Sequence, residues 1–177
     1  MGRPSAGCEN RSGLRGTAMN HQEQQLMVAL IRNRCWAALA TQGSEGPEAS
    51  WAAYAPEPDF SGFLFHLSTL AAHTRNLLAD PRAGLAISEL EREGEDPQTL
   101  ARVMIQGDVA VISRDSAAYL EATRCYQRQL PSSAPRFAFG DFLLFRLYPV
   151  TVRFIGGFAR AYTLDSNGLR AAVQRGV

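Results

Sequence analysis

The chain has 177 residues, enough for one domain with a hydrophobic core of its own. Its formal net charge is +1 and 46% of its residues are hydrophobic, a balance that gives no reason to expect a nucleic acid or an anionic membrane as a partner. All 18 cationic side chains are arginine, which excludes a Schiff-base lysine, a lysine general base and a lysine phosphate anchor.

The cysteines and the N-terminus indicate the compartment and the domain bounds. Cys8, Cys35 and Cys125 are odd in number and widely spaced, so no disulfide framework is expected and a reducing, cytoplasmic location is favoured. No apolar run approaches the length of a membrane span. Residues 1–18 contain Gly, Ser, Arg and Pro without an apolar stretch, which predicts a disordered extension before a single domain over 19–177.

The first half of the chain predicts a helix followed by strands. His21 to Arg34 has apolar residues at helical spacing, and Asn20 with Glu23 fits a capping box. Turn residues then separate three predicted strands, which are Cys35 to Gln42, Glu48 to Ala55 and Gly62 to Leu67. A second helix is predicted over Thr69 to Ala79, ending at Asp80-Pro81 because proline does not continue a helix.

The second half predicts more strands and one long helix. The predicted strands are Ala83 to Glu89, Ala101 to Ser113 with Gly107 as a candidate bulge, and a final hairpin of Phe142 to Leu147 and Val150 to Ile155. A helix is predicted over Asp115 to Leu130, a loop over Pro131 to Pro135, and a short terminal helix from Asp165. About six strands with two or three helices predict a mainly β fold, a closed or split antiparallel barrel.

The turn between the third strand and the second helix carries side chains that suit an anion. Ser68, His73, Thr74 and Arg75 are close together where backbone N–H groups and the positive end of a helix dipole are exposed. This combination predicts a phosphate site in a small barrel. Alternatively His73 is a surface histidine, Thr74 a capping hydroxyl and Arg75 a solvated side chain. His66, alone at the end of the strand, is either a ligand or, as we expect, only hydrogen-bonded.

Three segments carry a family resemblance. They are HLSTLAAHTRNLLADP (66–81), LARVMIQGDVAVI (100–112) and RFIGGFARAYTL (153–164), in this order. The chain resembles the FMN-binding split-barrel family, which includes pyridoxamine 5′-phosphate oxidase, and within it the haem-utilisation branch. The resemblance implies a Greek-key, antiparallel split β-barrel with flanking helices, a homodimer, and FMN bound between the two barrels.

The resemblance also implies roles for particular residues. The FMN phosphate would contact Ser68, His73, Thr74 and Arg102, with Arg75 nearby. The flavin ring would lie along Gln106 and along the second strand at Ser50 and Trp51. Arg102 and Gln106 share one face of their strand by alternation, so they alternatively mark a wet exterior face. Trp51 alternatively packs in the core or at a subunit interface.

The sequence departs from its relatives at positions that concern function. Glu48 to Tyr54 lacks the arginine and lysine that pyridoxamine-phosphate oxidases use on this strand, and no histidine follows His73. The primary expectation is therefore an FMN-binding flavoprotein, an oxidoreductase acting on a small-molecule substrate. The alternatives are a haem-binding or haem-degrading protein using the same cleft, and a flavin-binding module without turnover.

Overall fold

The computed structural model describes residues 19–157 and 160–175, so the predicted extension over 1–18 lies outside the described residues. The helices are α1 (His21–Asn33), α2 (Ala72–Ala79), α3 (Ala117–Gln129) and α4 (Ser166–Arg175). The strands are β1 (Trp36–Gln42), β2 (Pro47–Ala53), β3 (Ala55–Pro56), β4 (Phe63–Ser68), β5 (Arg82–Ser88), β6 (Arg102–Val111), β7 (Phe142–Ile155) and β8 (Ala161–Asp165).

The strands form one antiparallel sheet that curls into a half-barrel. Its order is β2-β1-β5-β6-β7-β4-β3, and β8 pairs with the second half of β7. Among the described strands, β2 pairs only with β1, so its other edge has no strand partner. The arrangement confirms the predicted mainly β, antiparallel split barrel with flanking helices.

The core lies on the inner face of the half-barrel. Side chains from alternate positions of the strands, such as Leu39, Phe65 and Val103, pack there against Met27 and Ile31 of α1. The Tyr54 hydroxyl donates to the Ile31 carbonyl oxygen at 2.9 Å, which fixes the end of α1 to the sheet. α1 begins with the predicted capping box, in which Asn20 and Glu23 satisfy each other's backbone N–H groups.

A second apolar cluster covers the other face of β4. Leu64 and Leu144 pack there against Ala122 and Tyr126 of α3. Both faces of β4 are therefore buried, and every side chain from Phe63 to Leu67 is buried. This position between two packed layers places the β4–α2 turn at the rim of the half-barrel.

Several predicted elements differ from the structure, and the predicted loop over Pro131 to Pro135 belongs to a 3-10 helix (Pro131–Ala138). The predicted final hairpin is one continuous strand, β7, which passes through Pro149. The register shifts there opposite Gly107, where a Cβ atom would collide with the Tyr148 backbone, so the predicted irregularity at Gly107 is confirmed. Helix α2 begins at Ala72 rather than Thr69, and β8 was not predicted.

Candidate functional site

The turn between β4 and α2 is closed by a residue far away in the sequence. The Ser68 hydroxyl donates to Asp141 Oδ2 at 2.6 Å and accepts a hydrogen bond from the Leu70 N–H at 3.2 Å. The Thr69 N–H donates to the Asp141 carbonyl oxygen at 2.8 Å. Two donors of the predicted phosphate turn are therefore occupied by one aspartate.

Thr74 leaves a polar group without a partner in the first turn of α2. Its side chain is fully buried, and its Oγ1 atom has no hydrogen-bond partner among the described residues. The N-cap residue Ala71 supplies no side-chain hydrogen bond either. A buried hydroxyl without a partner costs roughly 1–3 kcal/mol, so this helix start fits an external oxygen acceptor. The observation suits a phosphate or a carboxylate group.

His73 and Arg75 leave α2 on different sides. His73 is half-buried, and this burial lowers its pKa, which favours the neutral imidazole at pH 7. Its spacing puts it on the same helix face as Asn76, whose Nδ2 donates to Thr41 Oγ1 of β1 at 3.1 Å. Arg75 is exposed and donates to the Leu70 carbonyl oxygen at 2.7 Å. His73 therefore faces the β1–β2 hairpin, whereas Arg75 braces the turn.

The predicted residues of β2 lie on opposite faces of that strand. The Ser50 hydroxyl donates weakly to the Leu39 carbonyl oxygen at 3.4 Å on the inner side. Trp51 is 60% exposed and stacks on Trp36 with ring centroids 6.1 Å apart, so packing of Trp51 in the core is wrong. The indole pair forms an exposed aromatic surface next to the unpaired edge of β2.

Arg102 and Gln106 share the outward face of β6, as alternation predicts. The half-buried Arg102 donates through Nη1 to the Gln98 and Leu100 carbonyl oxygens, at 3.2 and 3.1 Å. Gln106 is exposed and lines a groove of about 510 Å³ with Ala40, Gly84 and Thr151. The outward face is therefore accessible. Both interpretations of Arg102 and Gln106, as ligand contacts or as part of a solvent-exposed exterior face, require this.

One chain does not bring Arg102 to the β4–α2 turn. α2 leads through Pro81 into Arg82, which pairs with Asp108 near the end of β6. Arg102 lies six residues before Asp108 in β6 and pairs with Ser88 at the other end of β5. Six extended residues span about 20 Å. The two halves of the predicted phosphate site therefore lie at opposite ends of β6 within a single chain.

The outward sheet face has a pattern that residue-by-residue prediction missed. The register aligns small side chains of β1 and β5 across its middle, namely Ala38, Ala40, Gly84 and Ala86. Met104 pairs with Ala86 and with the exposed Arg153. Alternation of small residues along both strands is the sequence signal that could have found it. The result is a surface of small apolar side chains that lies between the indole pair and two arginines.

His66 is a buried imidazole without a hydrogen bond, so the expectation that it is hydrogen-bonded is wrong. It is 6% exposed, and neither Nδ1 nor Nε2 has a partner among the described residues. Its ring stacks on Phe137 with centroids 3.8 Å apart and planes at 3°. Burial, helped by Arg136 and Arg114, lowers the pKa of His66 to about 4, so the imidazole is neutral near pH 7.

We expect His66→Phe to stabilise the protein by about 1 kcal/mol at pH 7, because it removes two unsatisfied ring nitrogens. The unfolded chain binds a proton with a pKa near 6.5 and the folded chain only near 4, so the wild type loses stability as the pH falls between these values. The loss amounts to about 2–3 kcal/mol, and the variant should lack it. Urea unfolding of both proteins at pH 7 and pH 4.5 measures this. Parallel pH dependence in the two would contradict it.

Comparison with known proteins places these features in context. A family model described as pyridoxamine 5′-phosphate oxidase matches residues 24–156. The chain is 37% identical over 124 residues to the chloroplastic non-canonical haem oxygenase HOZ of Arabidopsis thaliana, covering 69% of this chain and 36% of that protein. It is 26% identical over 133 residues to the haem oxygenase HutZ of Vibrio cholerae, covering 74% of each.

Solved structures agree with this fold. A haem-binding protein from Mycobacterium smegmatis superposes with a TM-score of 0.73 and 26% identity, covering 90% of this chain and 62% of the other. The chain thus spans about a third of the Arabidopsis relative and under two thirds of the mycobacterial one. In residues 19–157 and 160–175, no helix is long and apolar enough to cross a membrane. The same residues contain no group of three or more His, Cys, Asp and Glu side chains suited to a metal ion.

Proposed function

Since the chain belongs to the pyridoxamine 5′-phosphate oxidase family, we propose that it binds haem in the split-barrel cleft and takes part in haem breakdown. The observation that carries this proposal is the similarity to two haem oxygenases, one of them over 74% of both chains. Haem therefore replaces FMN as the preferred cofactor, and the flavoprotein oxidoreductase becomes the second candidate. The cytoplasmic location remains a prediction.

The outward sheet face supports a planar, largely apolar ligand. Ala38, Ala40, Gly84 and Ala86 leave room above the sheet, and Trp36 and Trp51 offer aromatic surface beside it. Haem also carries two carboxylates, for which arginine is the preferred side-chain partner. Arg102, Arg153 or the β4–α2 turn would hold them. When bound, haem would supply the iron chemistry of oxygen activation, while the protein orients it and limits water.

Histidine provides the protein's best iron ligand, and the chain has three. His21 donates through Nε2 to the Arg175 carbonyl oxygen at 3.0 Å on the α1–α4 side, and His66 lies under the ring of Phe137. His73 is half-buried on the rim beside β1 and neutral near pH 7, so it would hold the iron most readily.

We also propose that the cleft forms between two copies of the chain. Arg102 lies about 20 Å along β6 from the end that adjoins α2. A second copy packed on the outward face would bring its Arg102 towards the first copy's turn. Sedimentation at micromolar concentration should give a dimer. A monomer that still binds the cofactor with unchanged affinity would contradict the shared cleft.

FMN remains the second candidate because of Thr74. Its buried hydroxyl without a partner, in the first turn of a helix, suits a phosphate as well as a carboxylate. A flavoprotein with turnover and a flavin-binding module without turnover would both use this feature. FMN and a small-molecule substrate therefore stay as the alternative ligands of the same cleft.

Reconstitution with ferric haem tests the proposed function. The protein with one equivalent of ferric haem, a reductant and oxygen should lose its Soret band faster than free haem and release a bile-pigment-like product. Arg92→Ala, in an exposed loop, serves as the matched control and should behave as the wild type. A Soret band that decays at the rate of free haem would reduce the proposal to haem binding without breakdown.

A further inference from the structure

The chain places a carboxylate of its own on the anion-binding turn. Asp141 Oδ2 accepts the Ser68 hydroxyl at 2.6 Å, and the Asp141 carbonyl oxygen accepts the Thr69 N–H at 2.8 Å. The Leu70 N–H points to the same Ser68 oxygen at 3.2 Å. The aspartate thus satisfies two of the donors that an anionic ligand would use, the Ser68 hydroxyl and the Thr69 N–H.

A ligand with a phosphate or a carboxylate would meet this charge directly. Two negative groups within a few ångströms of each other repel strongly in a partly desolvated cleft. We infer that the Asp141 carboxylate occupies the anion-binding position of the β4–α2 turn, competes with the anionic group of a cofactor for it, and leaves it when that group binds. The inference rests on the proposed function only in assuming that the cofactor binds at this turn.

Asp141 is connected to a cover over His66. We name residues 131–141 the strap; it contains a 3-10 helix (Pro131–Ala138) and ends at Asp141. Phe137 of the strap stacks on His66, and Arg114 Nη2 holds the strap end through the Phe139 carbonyl oxygen at 2.8 Å. Displacement of the Asp141 carboxylate therefore removes one of the contacts that hold this end of the strap to the β4–α2 turn.

When the strap covers His66, buried polar atoms in and under the strap lack hydrogen-bond partners. His66 lacks hydrogen bonds at both ring nitrogens, and the hydroxyl of Ser133 in the strap is fully buried without a partner in the described part of the chain. The charged groups near His66 are Arg136 of the strap, Arg114 and Asp141. Opening gives these groups access to water, which offsets part of the lost stacking. Ligand binding and strap opening are then coupled, and each favours the other.

Asp141→Asn tests the competition because the amide keeps the hydrogen bond from Ser68 and removes the charge. Two pairs of probes show whether the anion is a phosphate or a carboxylate. FMN is compared with riboflavin, which lacks the phosphate, and ferric haem with its dimethyl ester, which lacks free carboxylates. The variant should bind the anionic member of the responding pair about tenfold more tightly, and the member without the anionic group as the wild type does. Asp115→Asn, an exposed aspartate before α3, makes the same charge change and should have no effect.

Amide hydrogen exchange tests the strap independently of affinity. The anionic probe should speed exchange in residues 132–139 of the wild type, and Asp141→Ala should do so without any ligand. Wild-type binding that Asp141→Asn leaves unchanged, or exchange that neither change affects, would overturn the inference and leave the proposed function standing. Strengthened binding of FMN with no binding of haem would support the inference and contradict the haem assignment. Failure of both proteins to bind any probe would overturn both.

Discussion

Replacing Arg102 with alanine should weaken the binding of ferric haem about tenfold to a hundredfold, and replacing His73 should do the same. Hydrogen bonds to charged groups contribute roughly 1.5–3 kcal/mol each, which corresponds to this range of affinity. For His73 this range applies to a hydrogen bond with the anionic group, and loss of an iron ligand would in addition shift the Soret band. Titration of the Soret band gives the dissociation constants, and Arg92→Ala is the matched control.

The same variants distinguish the anion from the ring. Haem dimethyl ester lacks free carboxylates, so Arg102→Ala should change its affinity far less than that of haem. Riboflavin against FMN provides the parallel comparison for the second candidate. Equal losses for the acid and the ester would place the damage in the loop at Gln98 and Leu100, whose carbonyls Arg102 now holds, and would remove Arg102 from the site.

Mixed dimers test whether the two residues act across the subunit interface. A dimer of one Arg102→Ala chain and one His73→Ala chain has one site with both native residues and one site with neither, if each site combines the two chains. Such a mixed dimer should bind one haem with wild-type affinity. If Arg102 and His73 of the same chain met, both sites would be defective, and no wild-type site would be recovered.

Replacing Arg146 with alanine should lower the free energy of unfolding by about 2–4 kcal/mol. Arg146 Nη2 lies 2.6 Å from Glu57 Oε1, and their side chains are only 19% and 15% exposed. The variant leaves Glu57 with the Ser61 hydroxyl, 3.0 Å away, as its remaining partner. Because this pair lines a separate groove of about 590 Å³, haem affinity should not change.

The double variant Glu57→Gln with Arg146→Met identifies the cause. It removes both charges while keeping most of the volume, so urea unfolding should show much of the stability restored. Arg92→Ala should change the free energy of unfolding by less than about 0.5 kcal/mol. A double variant as unstable as Arg146→Ala would show that the loss comes from packing of the arginine stem rather than from an uncompensated carboxylate.

Local signals in the sequence predicted much of the fold. The Asn20–Glu23 capping box, the strand alternation that puts Arg102 and Gln106 on one face, and the irregularity at Gly107 depend on neighbouring residues. The prediction of a final hairpin is wrong. It is based on Pro149, because proline normally interrupts a strand, yet Pro149 lies inside the continuous strand β7. Here the register shift opposite Gly107 accommodates the proline, and this accommodation involves a neighbouring strand.

The candidate site was harder to predict because its decisive contacts are distant in sequence. Ser68 meets Asp141, 73 residues later, so no local pattern shows that its hydroxyl is occupied. His66 is covered by Phe137, and a strand pattern cannot show that its nitrogens lack partners. The joint roles of Ser68, His73, Thr74 and Arg102 remain a prediction, since a second chain is needed to bring Arg102 to the turn.

The visible absorption spectrum of the purified protein, before and after addition of ferric haem, tests the central claim most directly. We expect a Soret band that shifts from the position of free haem and saturates at one haem per chain, and His73→Ala should shift it again. Flavin bands in the protein as purified, with no saturable Soret shift on addition of haem, would contradict the haem assignment and restore FMN as the cofactor of this cleft.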